Sequence, residues 1–110
     1  MGDTIFDKQN ALQLLGDDED FLNIVVDAFL NYIPGQIAAL QNAVTAGNEE
    51  AARLLAHSLK GASANIAATR LHGISTEMET LAKANALEKM APLLTPLIAA
   101  FDEFKRHVRE

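Results

Sequence analysis

Apolar residues along this chain recur at steps of three and four, the spacing of one face of an α-helix. The longest such run is Leu22, Val26, Phe29, Ile33, Ile37, Leu40 and Val44. It predicts one long helix whose stripe keeps phase across Pro34, so a kink is expected there rather than a break. Phe21, Val25, Ala28 and Tyr32 form a second stripe beside the first. A short leading helix from Asp7 to about Leu15, with Phe6, Leu12 and Leu15 apolar, is expected to pack on it. Asp7 can cap that helix and Gly16 can stop it. The acidic run Asp17, Asp18, Glu19, Asp20 then opens the long helix, because carboxylates favour the positive end of the helix dipole. A calcium loop would need a glycine and a distal glutamate at loop spacing, and both are missing.

Asn48 can cap the next helix, with Glu49 and Glu50 in its first turn. Its expected core face is Leu55, Leu59, Ala62 and Ile66. A fourth segment carries Leu71, Ile74, Met78 and Leu81. The last carries Leu87, Met90, Leu94, Ile98, Phe101, Phe104 and Val108, with Pro92 and Pro96 bending its early turns. The punctuation falls at Gly16, Gly47 and around Thr69 and Asn85. These segments predict an all-α fold: an antiparallel four-helix bundle with a short additional N-terminal helix. Residues 1–110 read as a single domain, with its core between about residues 6 and 108.

Composition narrows the functions open to such a bundle. A chain of 110 residues can bury a core without metals or crosslinks. With no cysteine, it has no disulfide, thiolate chemistry or Cys-ligated zinc. A net charge of −6 argues against a nucleic-acid partner. No apolar run approaches the roughly 18 residues of a membrane span, and the first ten residues lack the features of a signal peptide. A cytoplasmic module is expected, free or as a domain of a membrane-anchored kinase, with no direct membrane insertion.

One stretch, "LLAHSLKGASANIAA" from Leu54 to Ala68, does not fit the economy of a helix. Gly61 lies in its interior, where glycine costs about 1 kcal/mol relative to alanine. With Leu55 set at zero and about 100° per residue, Leu59, Ala62 and Ile66 fall within roughly 40° of it. His57 then points about 180° from the centre of that stripe, out to solvent, with Arg53, Lys60, Gly61 and Ala64 around it. Gly61 is one turn on from His57, where side chains at i and i+4 meet. A small residue there leaves the imidazole open to another protein. Lys60, three positions on, can support an anion attached to His57. An exposed His with a Lys three residues on carries little by itself. Retaining Gly61 against its helical cost is what singles the pair out. An accessible neutral imidazole beside a cation is suited to accept a phosphoryl group.

The stretch "HSLKGASANIAA" closely resembles the signature of histidine-containing phosphotransfer (HPt) domains of two-component phosphorelays. The likeness extends to "IFDKQNALQLLGDDEDFLNIVVDAFL", to the approach "IPGQIAALQNAVTAGNEEAARLLAHSLKG", and in kind to "ISTEMETLAKAN". The resemblance implies that His57 is the phosphorylated residue, that Lys60 supports the phosphoryl charge, and that Gly61 clears the docking surface. Ser63 also matches the pattern, and its expected role is a bond to the preceding turn's carbonyl. Family members usually have glycine ten residues after the histidine, where this chain has Ala67. That departure is expected to bear on local helix–helix approach and not on the chemistry. His72 and His107 lack the lysine–glycine context and read as ordinary surface residues.

The resemblance also implies the reaction. A receiver domain's phospho-aspartate gives its phosphoryl group to His57, which passes it to another receiver's aspartate. The partners would be response-regulator receiver domains, including one on a hybrid sensor histidine kinase. Magnesium is expected in the receiver, and the chain needs no cofactor of its own. No nucleotide-binding signature is present, so it reads as a phosphotransfer intermediate without an ATP-dependent kinase site. Two alternatives stay open at this point. One is the phosphoacceptor domain of a chemotaxis-type histidine kinase; the other is a helical interaction module without phosphotransfer.

Overall fold

The computed structural model describes residues 5–108, and those residues are helical throughout apart from short turns. Helix α1 (Lys8–Leu14) is followed by α2 (Glu19–Thr45), α3 (Glu49–Asn65) and α4 (Thr69–Lys83). One turn of helix, α5 (Leu87–Met90), leads through a 3-10 turn (Ala91–Leu93) into α6 (Leu94–Val108). No helix among the described residues is long and apolar enough to cross a membrane. The four-helix bundle with a short leading helix is therefore the fold.

The starts of α1, α2 and α3 follow the sequence closely. Asp7, Asp18 and Asn48 each accept a hydrogen bond from the backbone N–H three residues on, at 3.1, 3.0 and 3.1 Å. Each satisfies a donor the helix leaves unpaired. Helix α2 runs through Pro34 unbroken. Leu22, Val26, Phe29, Ile33, Ile37 and Leu40 are all buried, with Ala43 rather than Val44 closing the stripe.

The second stripe on α2 is a correction. Phe21, Ala28 and Tyr32 are exposed and Val25 is half-buried, so α1 does not cover them. Helix α1 has only seven residues, and the segment before it is drawn elsewhere. Phe6 packs edge-on against Phe104 of α6, with ring centres 5.3 Å apart. The Asp7 N–H donates to the Ala67 carbonyl at 3.0 Å, pinning the N-terminal segment to the turn after α3. Phe29 meets Phe104 from the other side at 5.1 Å.

Helices α1 to α4 end in one pattern. The residue two past each last helical position has positive φ: Gly16 (78°), Gly47 (71°), Ala67 (55°) and Asn85 (56°). At each end two backbone bonds fold the chain back, as in Ala68 N–H to Ser63 carbonyl (2.9 Å) and Ala67 N–H to Ala64 carbonyl (3.2 Å). This arrangement satisfies carbonyls the helix leaves free and calls for a left-handed residue. The Ala67 position thus terminates α3, with a left-handed backbone that a glycine there would adopt without strain.

The phase of α3 is also shifted. Its buried residues are Ala52, Ala56, Leu59 and Ser63, followed by Ile66, while Leu55 and Ala62 are only half-buried. The mean direction of the buried set is rotated by roughly 50° from the stripe centred on Leu55. That rotation carries His57 toward α4. The Ser63 hydroxyl, like that of Ser75 on α4, is buried without a hydrogen-bond partner. The expected bond to the preceding turn is therefore not made, and Ser63 serves as a small residue in the α3–α4 contact.

Candidate functional site

Helices α3 and α4 form an antiparallel hairpin turning at Ile66, Ala67 and Ala68. Residues equidistant from Ala68 face each other across it, and His57 and Glu79, 22 positions apart, are such a pair. The His57 side chain is 63% exposed, as its outward direction predicts, and its Nδ1 lies 2.7 Å from Glu79 Oε2. Glu79 is only 5% exposed. Lys60 Nζ stands 2.5 Å from the other carboxylate oxygen. Lys83, one turn beyond Glu79 on α4, lies 3.7 Å from Oε2.

These contacts fix protonation. The hydrogen bond from Lys60 is the strongest influence on Glu79. It outweighs burial, and the His57 bond and the charges of Lys60 and Lys83 add to it. Together they hold the Glu79 carboxyl down to about 2. An ionised carboxylate can only accept hydrogen bonds. The His57 nitrogen facing it must therefore be the donor, Nδ1–H. In the neutral ring the lone pair then sits on Nε2, at the exposed edge of the imidazole.

The surface around that edge is open. Gly61 is exposed, and a methyl group built on it meets nothing within 4 Å. No neighbouring backbone demands a glycine there. Ala64 is exposed on the same side. Toward α2, Val25, Ala28, Phe29, Tyr32, Ala62 and Asn65 line a shallow apolar groove. Phe21, Ile24 and Leu54 are exposed large apolar residues on the same two helices. No group of three or more potential metal-ligating side chains occurs among the described residues.

Comparisons with known proteins bear on the family and the fold. The Hpt domain family matches residues 24–107. The chain belongs to that family. Histidine-containing phosphotransfer protein B (HptB) from Pseudomonas aeruginosa PAO1 is similar in structure, with 28% identity, a TM-score of 0.85, and coverage of 96% of this chain and 95% of that one. The HPT domain of a sensor hybrid histidine kinase from Shewanella shares the fold at 17% identity, with a TM-score of 0.81 and coverage of 96% and 91%. No curated protein sequence matches the chain. As an Hpt domain it is a phosphorelay phosphocarrier, and the family carries phosphoryl groups rather than acting as kinases.

The hairpin brings together His57 and Lys60, which the sequence singles out, with Glu79 and Lys83, which it does not. Glu79 lies inside the quoted stretch "ISTEMETLAKAN", next to Met78 of the core stripe, and reads there as an ordinary polar neighbour. The hairpin register is the signal that could have found it. His72 is half-buried rather than fully exposed, and its carbonyl accepts the Thr76 hydroxyl at 2.7 Å. His107 is exposed, far along α6.

Proposed function

We propose that His57 is the residue this Hpt domain phosphorylates, through Nε2, on receipt of a phosphoryl group from a receiver domain's phospho-aspartate. The observation that carries the reading is the Nδ1–Glu79 hydrogen bond, which leaves the nucleophilic lone pair on the solvent-facing nitrogen. Attack by Nε2 forms the N–P bond while the acyl phosphate's P–O bond breaks, and the aspartate carboxylate leaves with the electron pair. The proton stays on Nδ1. Positive charge that develops on the ring is met by the Glu79 carboxylate, placed beforehand where that charge appears. Passing the phosphoryl group to a second receiver's aspartate is the reverse of this step.

Lys60 has two parts in the reading. It keeps Glu79 ionised and ordered, and its charge lies close enough to favour the phosphorylated state. Gly61 and Ala64 leave the imidazole accessible, and the exposed apolar residues of α2 and α3 give a receiver a face to dock on. The magnesium that phosphoryl transfer from an acyl phosphate requires would be the receiver's. The receivers in this reading include one on a hybrid sensor histidine kinase, and the setting is cytoplasmic.

Incubation with a phosphorylated receiver tests the proposal. Label should move to this chain, resist base, be lost in acid, map to His57, and pass to a second unlabelled receiver. Acid-stable label, or label on another residue, would overturn it.

A further inference from the structure

The apolar face of α2 and α3 beside His57 has charges of opposite sign on its two borders. From Gln9 to Ala52 the chain has no Lys, Arg or His, while α2 and the turn before it carry Asp17, Asp18, Glu19, Asp20 and Asp27. Asp18 caps α2, and Glu19 pairs with Lys8 at 2.9 Å. Asp20 and Asp27 are exposed and make no ion pair or side-chain hydrogen bond among the described residues. With Leu22 at zero and about 100° per residue, Phe21, Ala28 and Ile24 lie at about 260°, 240° and 200°. Asp20 and Asp27 follow at about 160° and 140°, on the edge of that face away from α3. On α3 the groove residues Ala62 and Asn65 carry no charge, nor do the exposed Leu54, Ser58 and Gly61. At the other border, Lys60 and Lys83 share the single carboxylate of Glu79, so that side is net positive.

We infer that Asp20 and Asp27 are specificity determinants, which select receiver domains whose docking rim over α2 carries Lys or Arg. The inference rests on receiver docking at this face and names the partner's chemistry. Docking there takes water from two carboxylates that this chain leaves without a partner. A neutral rim leaves them desolvated and unpaired, and an acidic rim adds repulsion. A basic rim offsets both costs and steers the encounter. The opposed charges also fix orientation, because the donor's phosphoryl group is negative and belongs at the Lys60 border. A second copy of this chain is the poorer occupant, since each copy carries a net charge of −6 and self-repulsion opposes pairing.

Two receiver domains serve as probes, one with Lys or Arg and one with Asp or Glu around its phosphorylated aspartate. Both are loaded with acetyl phosphate, which releases acetate. Transfer is timed to wild type, Asp27→Lys, the Asp20→Lys/Asp27→Lys double variant and Asp102→Lys. Phosphoramidate is the control donor: its P–N bond breaks, ammonia leaves and no receiver docks. The basic-rimmed receiver should label wild type about tenfold faster than the acidic one at low salt. The difference should shrink near 1 M salt, where the screening length is about 3 Å. The double variant should reverse the preference. Asp102→Lys makes the same change in charge as Asp27→Lys, at an exposed position on α6, and should match wild type. Phosphoramidate should label every variant equally. If the double variant accepts from both receivers at wild-type rates in low salt, selection by Asp20 and Asp27 is overturned while receiver docking stands. If phosphoramidate labels His57 and neither receiver does, the docking reading falls and this inference falls with it. Sedimentation of the chain alone decides the second copy. A dimer dispersed by Ile24→Glu would assign the face to self-pairing and overturn the inference.

Discussion

Gly61 and Ala67 lie on the same helix and its end, and each is the residue the other backbone would favour. At Gly61 the chain is ordinary helix, where alanine is better by about 1 kcal/mol. At Ala67 φ is +55°, the left-handed region in which glycine is free of strain and alanine is not. The difference lies in what surrounds each position. Nothing touches a Cβ at position 61, so the chain gains no packing from glycine there and gains only clearance beside His57. Ala67 is 4% exposed, and its methyl group is part of the core. One position gives up stability for an open surface; the other accepts strain for packing. Changes on the His57 face should therefore move transfer more than stability, and changes at the end of α3 should move stability alone.

The largest effect tests the first half of that contrast. His57→Gln should abolish phosphoryl acceptance, with a loss in folding free energy of no more than about 1 kcal/mol, since the imidazole is outward-facing and its one bond to buried Glu79 can be replaced in part by the glutamine amide. A melt and a transfer assay on the same protein suffice. Transfer at the wild-type rate would show that the acceptor lies elsewhere.

Lys60→Ala should blur the contrast, because Lys60 serves both sides of it. Transfer should slow by roughly tenfold to a hundredfold as a unit charge near the site is lost. Stability should also fall, by about 1–3 kcal/mol, the cost of leaving a buried charged group without its partner. Acid titration gives an independent check. The Glu79 pKa is lower in the folded state, about 2, than in the unfolded chain, where about 4.3 is usual. Its contribution to stability is thus fully present above about pH 4.3 and is lost as pH falls toward 2. In Lys60→Ala the folded pKa rises toward the unfolded value, so this part of the acid loss should shrink. Unchanged acid unfolding in the mutant would mean that Lys60 does not hold Glu79.

Gly61 gives a smaller effect and separates the two quantities. Gly61→Ala should raise stability by up to about 1 kcal/mol. Gly61→Gln should leave the helix at least as stable yet slow transfer from a receiver, because its side chain lies one turn from the imidazole. Equal transfer by Gly61→Gln and wild type would remove clearance as the reason for the glycine.

How far the sequence reaches follows the same division. Helix starts and the α2 stripe depend on neighbouring residues, so Asp7, Asn48 and the acidic run from Asp17 to Asp20 mark them in the sequence. The buried face of α3 departs from the stripe centred on Leu55 because a leucine outweighs Ala52, Ala56 and Ser63 in apolar character, whereas close approach to α4 selects for small residues. The exposure of His57 survived that departure because it points far from either centre. Glu79 was out of reach for a different reason. A glutamate on a helix reads as solvent-facing unless the hairpin register is known, and only that register places it under His57. The left-handed backbone at Ala67 was hidden because alanine gives no sign of it.

The smallest effect concerns Ala67 itself. Ala67→Gly relieves a left-handed alanine, which costs roughly 1–2 kcal/mol. Against that, glycine frees the unfolded chain by about 0.4–1 kcal/mol, and removing a buried methyl group forfeits about 0.8 kcal/mol. These nearly cancel, so Ala67→Gly should change stability by less than about 1 kcal/mol and leave transfer untouched. Asn85 closes α4 with the same backbone, φ +56°, but is exposed. Asn85→Gly has no buried methyl to lose, and asparagine already tolerates this region, so it too should shift stability little. Ala67→Val separates the two terms at position 67, because a β-branched residue keeps the apolar volume but worsens the strain. It should be the most destabilising of the three in urea. If Ala67→Gly instead stabilises the domain by well over 1 kcal/mol, the methyl group contributes nothing to packing. The end of α3 would then be unrelieved strain, and its contrast with Gly61 would disappear.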